Sequence, residues 1–247
     1  MGEIIAVVSG KGGTGKTSVC AGIATTLAKE GRSVLCIDCD VGLRNLDISL
    51  GLDHTAPLTF LDVCQGNAAL ETLLPHPIFP SLRFLTAPTN RTIEQIDQNA
   101  FFAMVLHARQ IFDYVFLDAP AGVDAGFRLA AARADRVIVV TGSDPASIRD
   151  AGRTGQLLEL MGKTQARLIV NRVDPKLVHR MVLTIDDVMD DAGLPLLGIV
   201  PDDHKVVLAA AFGKPLITYT KKGAAAAVKR IASRLEGMPV PIPTKKV

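Results

Sequence analysis

The sequence has no tryptophan, two tyrosines and only 4% aromatic residues. A core built on stacked rings is thereby excluded, and aliphatic side chains must fill the interior. Four cysteines (Cys20, Cys36, Cys39 and Cys64) in 247 residues are too few for a disulfide-stapled scaffold, which leaves small, reduced, buried thiols. The formal net charge of +2 gives no argument for nucleic acid or another polyanion as partner. No charge-free apolar run approaches the roughly 18 residues that a bilayer crossing needs. No basic-then-apolar leader precedes the first strand-like run, so a soluble, cytoplasmic protein is expected.

What is present is aliphatic: 48% of the residues are hydrophobic. Short runs rich in Val, Ile and Leu occur at 3–9, 33–38, 82–87, 114–119, 136–141, 167–171 and 196–200. Each is apolar at consecutive positions, as a strand covered on both faces requires. Between them lie helix candidates, including 16–30, 94–111, 145–161, 184–192 and 223–235. Thr184 opens one of them as a cap, with Asp187 in place of the stronger Glu. Strand–helix alternation over the whole length predicts an α/β fold, a doubly wound and mostly parallel sheet flanked by helices. One domain is expected over residues 1–236. The closing 237–247, with prolines at 239, 241 and 243, reads as an irregular tail.

Gly10-Lys11-Gly12-Gly13-Thr14-Gly15-Lys16-Thr17 fits G-x-x-x-x-G-K-[ST], placed after a predicted strand and before a predicted helix. The glycines let consecutive N–H groups turn inward toward phosphate oxygens, and the helix starting near Lys16 adds its positive end. Gly10 through Ser18 are therefore the candidate triphosphate cradle. Lys16 reaches the β- and γ-phosphates, and the Thr17 hydroxyl ligates Mg²⁺. In YVFLD (114–118) four apolar residues end in Asp118, at the strand end that faces the ligand crevice of an open α/β sheet. A carboxylate there holds the metal, usually through its water shell.

Lys11 has no task in an ordinary phosphate loop. A lysine at that position resembles the KGGxGKT loop of the MinD/ParA ATPase family, the deviant branch of the SIMIBI-type phosphate-loop NTPases. The second strand runs on through Asp38-Cys39-Asp40 into GLRNLD (42–47), which resembles the family's MinD branch rather than its partitioning or flagellar-number branches. DAPAG (118–122), SIRD (147–150), NRVDP (171–175), LLGIVPDD (196–203) and FGKPLI (212–217) extend the likeness to residue 235 or so.

The resemblance implies an ATP- and Mg²⁺-dependent homodimer that acts as a switch in septum site selection, with slow hydrolysis to ADP and phosphate releasing it. It implies that Lys11 reaches the partner protomer's nucleotide, that Asp40 orients the attacking water, and that Asp38 supports the metal or the switch loop. A helix N-cap for the segment near 43–50 is the other reading of Asp38 and Asp40. The adenine pocket would use Asn171, Arg172, Pro201 and Asp202. ATP is preferred over GTP because no N-K-x-D element stands out. Division-inhibitor and ATPase-stimulating partners would dock near 147–153, although Ala151 and Gly152 stand where the branch usually has polar residues. The tail does not read as the branch's amphipathic membrane helix, because its prolines prevent one. Peripheral membrane association is therefore open, and DNA is the less favoured surface.

Three other readings stay weaker. A partitioning ATPase would need a basic patch on the dimer. A ligase relative needs extra substrate segments. An iron–sulfur carrier needs suitably placed thiols, whereas Cys36 and Cys39 straddle a strand end and point to opposite faces. The five histidines (54, 76, 107, 179 and 204) have no metal-ligand spacing.

Overall fold

The computed structural model describes residues 1–52, 58–174 and 184–242. His54, Pro175, His179 and residues 243–247, among them Pro243, lie outside the described residues.

All seven apolar runs form strands: β1 (Glu3–Ser9), β2 (Val34–Asp38), β3 (Leu82–Leu85), β4 (Tyr114–Ala121), β5 (Arg136–Thr141), β6 (Ala166–Val173) and β7 (Leu196–Pro201). They make one sheet in the order β3-β2-β4-β1-β5-β6-β7, and every neighbouring pair is parallel. Apolar side chains cover both faces, which is why the strands lack polar alternation. One face carries α1 (Lys16–Lys29) and the closing helix Ala224–Leu235. The other carries α3 (Phe60–Cys64), α4 (Gln98–Ile111), α5 (Ala125–Ala132), α6 (Pro145–Leu160) and the helix Ile185–Ala192. On that second face Phe60 and Phe101 meet edge-on at 5.2 Å, both fully buried. Cys36 and Cys39 fall into opposite faces of the core.

Helix starts follow local chemistry. Asp97 accepts from the backbone N–H groups of Asn99 and Ala100, so α4 starts at Gln98 rather than at 94, and 93–95 form a separate 3-10 turn. Thr184 accepts from Asp187 N–H while the Asp187 carboxylate returns to Thr184 N–H. Aspartate therefore completes the box despite its shorter reach.

The proline-containing stretch is irregular but tied down as far as residue 242. The Arg234 guanidinium donates to the carbonyls of Val240 (2.7 Å), Pro241 (2.8 Å) and Leu197 (2.8 Å). Leu197 belongs to β7, a sheet edge, so the strap lies along that edge. Ile242 packs back onto the core.

Candidate nucleotide site

Crossover connections place β4 between β1 and β2. Asp118 is thereby set between the phosphate loop leaving β1 and Asp38 at the end of β2, its register partner. The loop itself is shaped for an anion. Gly13 (φ 79°) and Gly15 (φ 82°) take left-handed conformations that a Cβ would strain. Among the described residues the N–H groups of Gly12, Gly13, Thr14 and Gly15 have no acceptor. The Thr14 hydroxyl is buried and likewise unpartnered. A Cβ at Gly13 would meet nothing within 4 Å, and one at Gly12 only Ala121, at 3.9 Å. Unpaired donors converging around open space fit a polyphosphate, whose oxygens can accept from several of them at once.

Lys16 is 7% exposed and its Nζ donates to Asp118 Oδ1 at 2.7 Å, with Thr17 Oγ1 at 3.3 Å. Burial acts to lower the Lys16 pKa, but the Asp118 charge and hydrogen bond more than reverse this, so the ammonium is kept charged. Thr17 and Asp118 are the residues that would hold Mg²⁺ beside the cradle, and a hydroxyl with a carboxylate suits that hard cation.

Asp38 sits differently from a plain metal ligand. Its Oδ1 accepts from Asp40 N–H (2.9 Å), and its Oδ2 from the N–H groups of Asn45 and Leu46 (3.1 Å each). It fixes the loop 39–46 and accepts from the first N–H of the five-residue helix α2 (Leu46–Leu50), whose N-cap residue is Asn45 rather than Asp38 or Asp40. Burial first, then the neighbouring Asp118 charge, push its pKa up to about 6 despite those donors. Asp40 is half-buried, and no hydrogen bond to its carboxylate is present among the described residues. Burial raises its pKa, opposed by Lys16. It is placed to accept a proton or to hold water.

Lys11 takes no place in its own cradle. Its Nζ lies 3.5 Å from Asp144 Oδ1, with both side chains about half exposed. Asp144 also caps α6 through Ser147 N–H. An exposed pair of this kind contributes less than about 1 kcal/mol, so it restrains Lys11 only weakly.

The four residues expected at the base do come together. Asn171, Arg172, Pro201 and Asp202 line a cavity of about 340 Å³ that opens beside Gly13 and Gly15. Asn171 Nδ2 donates to Thr14 O (2.7 Å), and Arg172 Nη1 to Gly13 O (3.2 Å). Asn171 thus commits one amide N–H to the loop and keeps its carbonyl oxygen for a ligand. Arg172 is the one non-glycine residue with positive φ among those described (56°), and it faces Asp202 at 3.6 Å.

The apolar wall of this cavity was not legible in the sequence. Val206, Leu216, and the closing-helix residues Ala224 and Val228 supply it from three helices, and no local motif marks such a surface. Asp203 was also missed. Its carboxylate accepts from Lys205 and Ala224 N–H, which ties the closing helix to the cavity. Gly223 (φ 59°) makes that approach possible, because a Cβ there would lie 2.1 Å from Asp203 Oδ2.

Packing accounts for the departure at 151–152. Ala151 is buried, and a Cβ at Gly152 would come 2.7 Å from Asp191 O. The helix Ile185–Ala192 thus lies flush on α6, while Arg149 and Arg153 stay exposed beside it.

The profile of the CobQ/CobB/MinD/ParA nucleotide-binding domain matches residues 5–216. The septum site-determining protein MinD of Synechocystis is 38% identical over 98% of this chain and 92% of its own. The MinC:MinD cell division complex of Aquifex aeolicus superposes with a TM-score of 0.89 at 37% identity, over 97% of this chain and 98% of that one. MinD of Pyrococcus horikoshii, complexed with Mg-ADP, gives 0.83 at 27% identity over 96% of each chain. The chain belongs to the CobQ/CobB/MinD/ParA nucleotide-binding family, in its MinD branch of ATPases.

Proposed function

We infer that this ATPase is a dimerisation switch for placing the division septum, closed by ATP and opened by hydrolysis. The observation that carries the reading is the separation of the two loop lysines. Lys16 is buried on Asp118 inside the cradle, whereas Lys11 is half exposed and directed out of it. A cation at the rim that does not serve its own phosphates is available to a second protomer's. Its charge finds a partner only in the dimer, so ATP binding and dimerisation become coupled.

Within each site the loop N–H groups and Lys16 bind the triphosphate, and Asn171 and the cavity wall seat the base. Asp40 orients water in line with the γ-phosphate, since such hydrolysis depends on positioning and charge stabilisation. Thr17 and Asp118 would hold Mg²⁺, which would supply positive charge to offset that of the phosphates. Asp38 holds the loop bearing Asp40 in register. Turnover is slow, as a lasting bound state requires.

The side of α6 that carries the exposed Arg149 and Arg153, with Asp191 beside it, outlines a groove of about 630 Å³. It is the candidate docking face for a division inhibitor or an ATPase-stimulating partner. The Aquifex neighbour, which is a MinC:MinD complex, supports a division-inhibitor partner.

The test is light scattering of purified protein with Mg-ATP and with Mg-ADP. A doubled mass with ATP alone is expected; identical monomers in both would overturn the reading.

A further inference from the structure

His76 is 4% exposed, whereas the other described histidines, His107 and His204, lie at the surface. Its ring is held in one orientation. Nδ1 accepts from the N–H groups of Ile78 (3.1 Å) and Phe79 (3.2 Å), and the His76 backbone N–H donates to Leu82 O at the start of β3 (2.9 Å). Prolines at 75, 77 and 80 stiffen the segment that presents the ring. A ring nitrogen facing two N–H donors is the unprotonated one, so the neutral imidazole carries its proton on Nε2. That proton is donated to Leu50 O, 2.8 Å away. Leu50 is the last residue of α2.

Five residues are too few for a helix to stand alone, so α2 takes its place from what holds it. Leu46 and Leu50 are fully buried, but aliphatic packing is non-directional and does not fix the helix along its axis. Directional bonds do so at both ends. At the first, Asp38 Oδ2 accepts from Asn45 and Leu46 N–H, while Oδ1 of the same carboxylate accepts from Asp40 N–H. At the last, His76 holds Leu50 O. Gly51 (φ 72°) then turns the chain against the 213–215 turn, where a Cβ would lie 2.8 Å from Gly213 O. The bonds run in series from His76 through α2 to Asp38 and on to Asp40. A shift of α2 along its axis therefore pulls on the carboxylate that sets the Asp40 backbone.

We propose that His76 is a positioning residue for ATP hydrolysis, which sets the place of Asp40 through α2 and Asp38 without touching nucleotide or water itself. The proposal rests on the water-positioning role of Asp40 given above. Its consequence is a separation of rate from binding. The loop N–H groups, Lys16 and the base-cavity residues lie outside the series of bonds from His76 to Asp40, so nucleotide affinity does not depend on the ring. In-line attack does, because a misplacement of about 1 Å in a positioned group can cost on the order of a hundredfold in rate.

Two amides divide the bonds of the ring between them. In His76→Asn the side-chain carbonyl stands where Nδ1 accepts and keeps Ile78 and Phe79 N–H, whereas Leu50 O loses its donor. In His76→Gln the longer amide carries an N–H to the place of Nε2 and keeps Leu50 O. The test is single-turnover hydrolysis at saturating Mg-ATP, with titration of a fluorescent ATP analogue, for both variants, Asp40→Ala and Asp40→Ala/His76→Asn. His76→Asn should hydrolyse at least about tenfold more slowly at unchanged nucleotide affinity, and His76→Gln should stay within about threefold of wild type. The double variant should be no slower than Asp40→Ala. A wild-type rate in His76→Asn, equal losses in the two amide variants, or nucleotide binding that weakens in step with the rate would overturn the assignment. Wild-type turnover of Asp40→Ala would instead overturn the water-positioning role on which it rests.

Discussion

Lys16 Nζ lies 2.7 Å from Asp118 Oδ1, and neither side chain is more than a tenth exposed. The pair joins the phosphate loop to the central strand β4, next to the buried Asp38. Removing one member leaves a buried charge uncompensated, which typically costs about 3–5 kcal/mol, while replacing both by apolar groups costs far less. Lys16→Met should lower the urea midpoint sharply, and Lys16→Met/Asp118→Leu should recover much of that loss without recovering ATP binding. Additive losses in the double variant would mean that the pair is not coupled.

Two loop glycines should respond in opposite ways. A Cβ at Gly15 would lie 2.2 Å from Asn171 Nδ2, at a residue with φ 82°, so Gly15→Ala should destabilise the protein by roughly 1–3 kcal/mol and displace Asn171. At Gly12 there is room. Gly12→Ala should leave thermal unfolding unchanged while weakening nucleotide binding, because the methyl group enters the cradle. Calorimetric melting and titration with a fluorescent ATP analogue separate the two.

Stability should fall on mild acidification through His76. Its Nδ1 accepts from Ile78 and Phe79 N–H and its Nε2 contacts Leu50 O at 2.8 Å, an arrangement that requires the neutral ring. Burial holds its pKa below the ordinary 6.5. The unfolded chain therefore takes up the proton first, and the stabilisation, complete above about 6.5, is lost as pH falls below it. Asp38 acts in the other direction. Its folded pKa of about 6 exceeds the ordinary 3.8, so its contribution is full below about 3.8 and declines as pH rises to 6. Urea titrations from pH 7 to 5 should show the His76 loss more steeply in Asp38→Asn; an unchanged slope would contradict this assignment.

Asp40→Ala should slow single-turnover hydrolysis at least tenfold and leave ATP affinity nearly intact, since nothing in the cradle depends on that carboxylate. Quenched-flow measurement of phosphate release checks this. Wild-type turnover would remove Asp40 from the water-positioning role.

How much of this was legible depended on whether the signal was local. All seven strands announced themselves because burial on both faces makes each a continuous aliphatic run, and the cradle residues Gly10 to Thr17 are contiguous. The Asp97 cap moved the start of α4 because a short side chain–backbone bond outweighed the helix propensity of the preceding residues. The base-cavity wall was invisible because it gathers side chains from α1, residues 200–216 and the closing helix. Asp38 offered both a metal and a cap reading, and its hold on the loop 39–46 through three N–H donors was visible only in the fold.

The central claim is that Lys11 acts across the dimer. Its most direct test is the mass of Asp40→Ala with Mg-ATP, measured by light scattering with and without Lys11→Ala. The account predicts dimers for Asp40→Ala and monomers that still bind ATP for the double variant. ATP-dependent dimers of equal stability in both would contradict it.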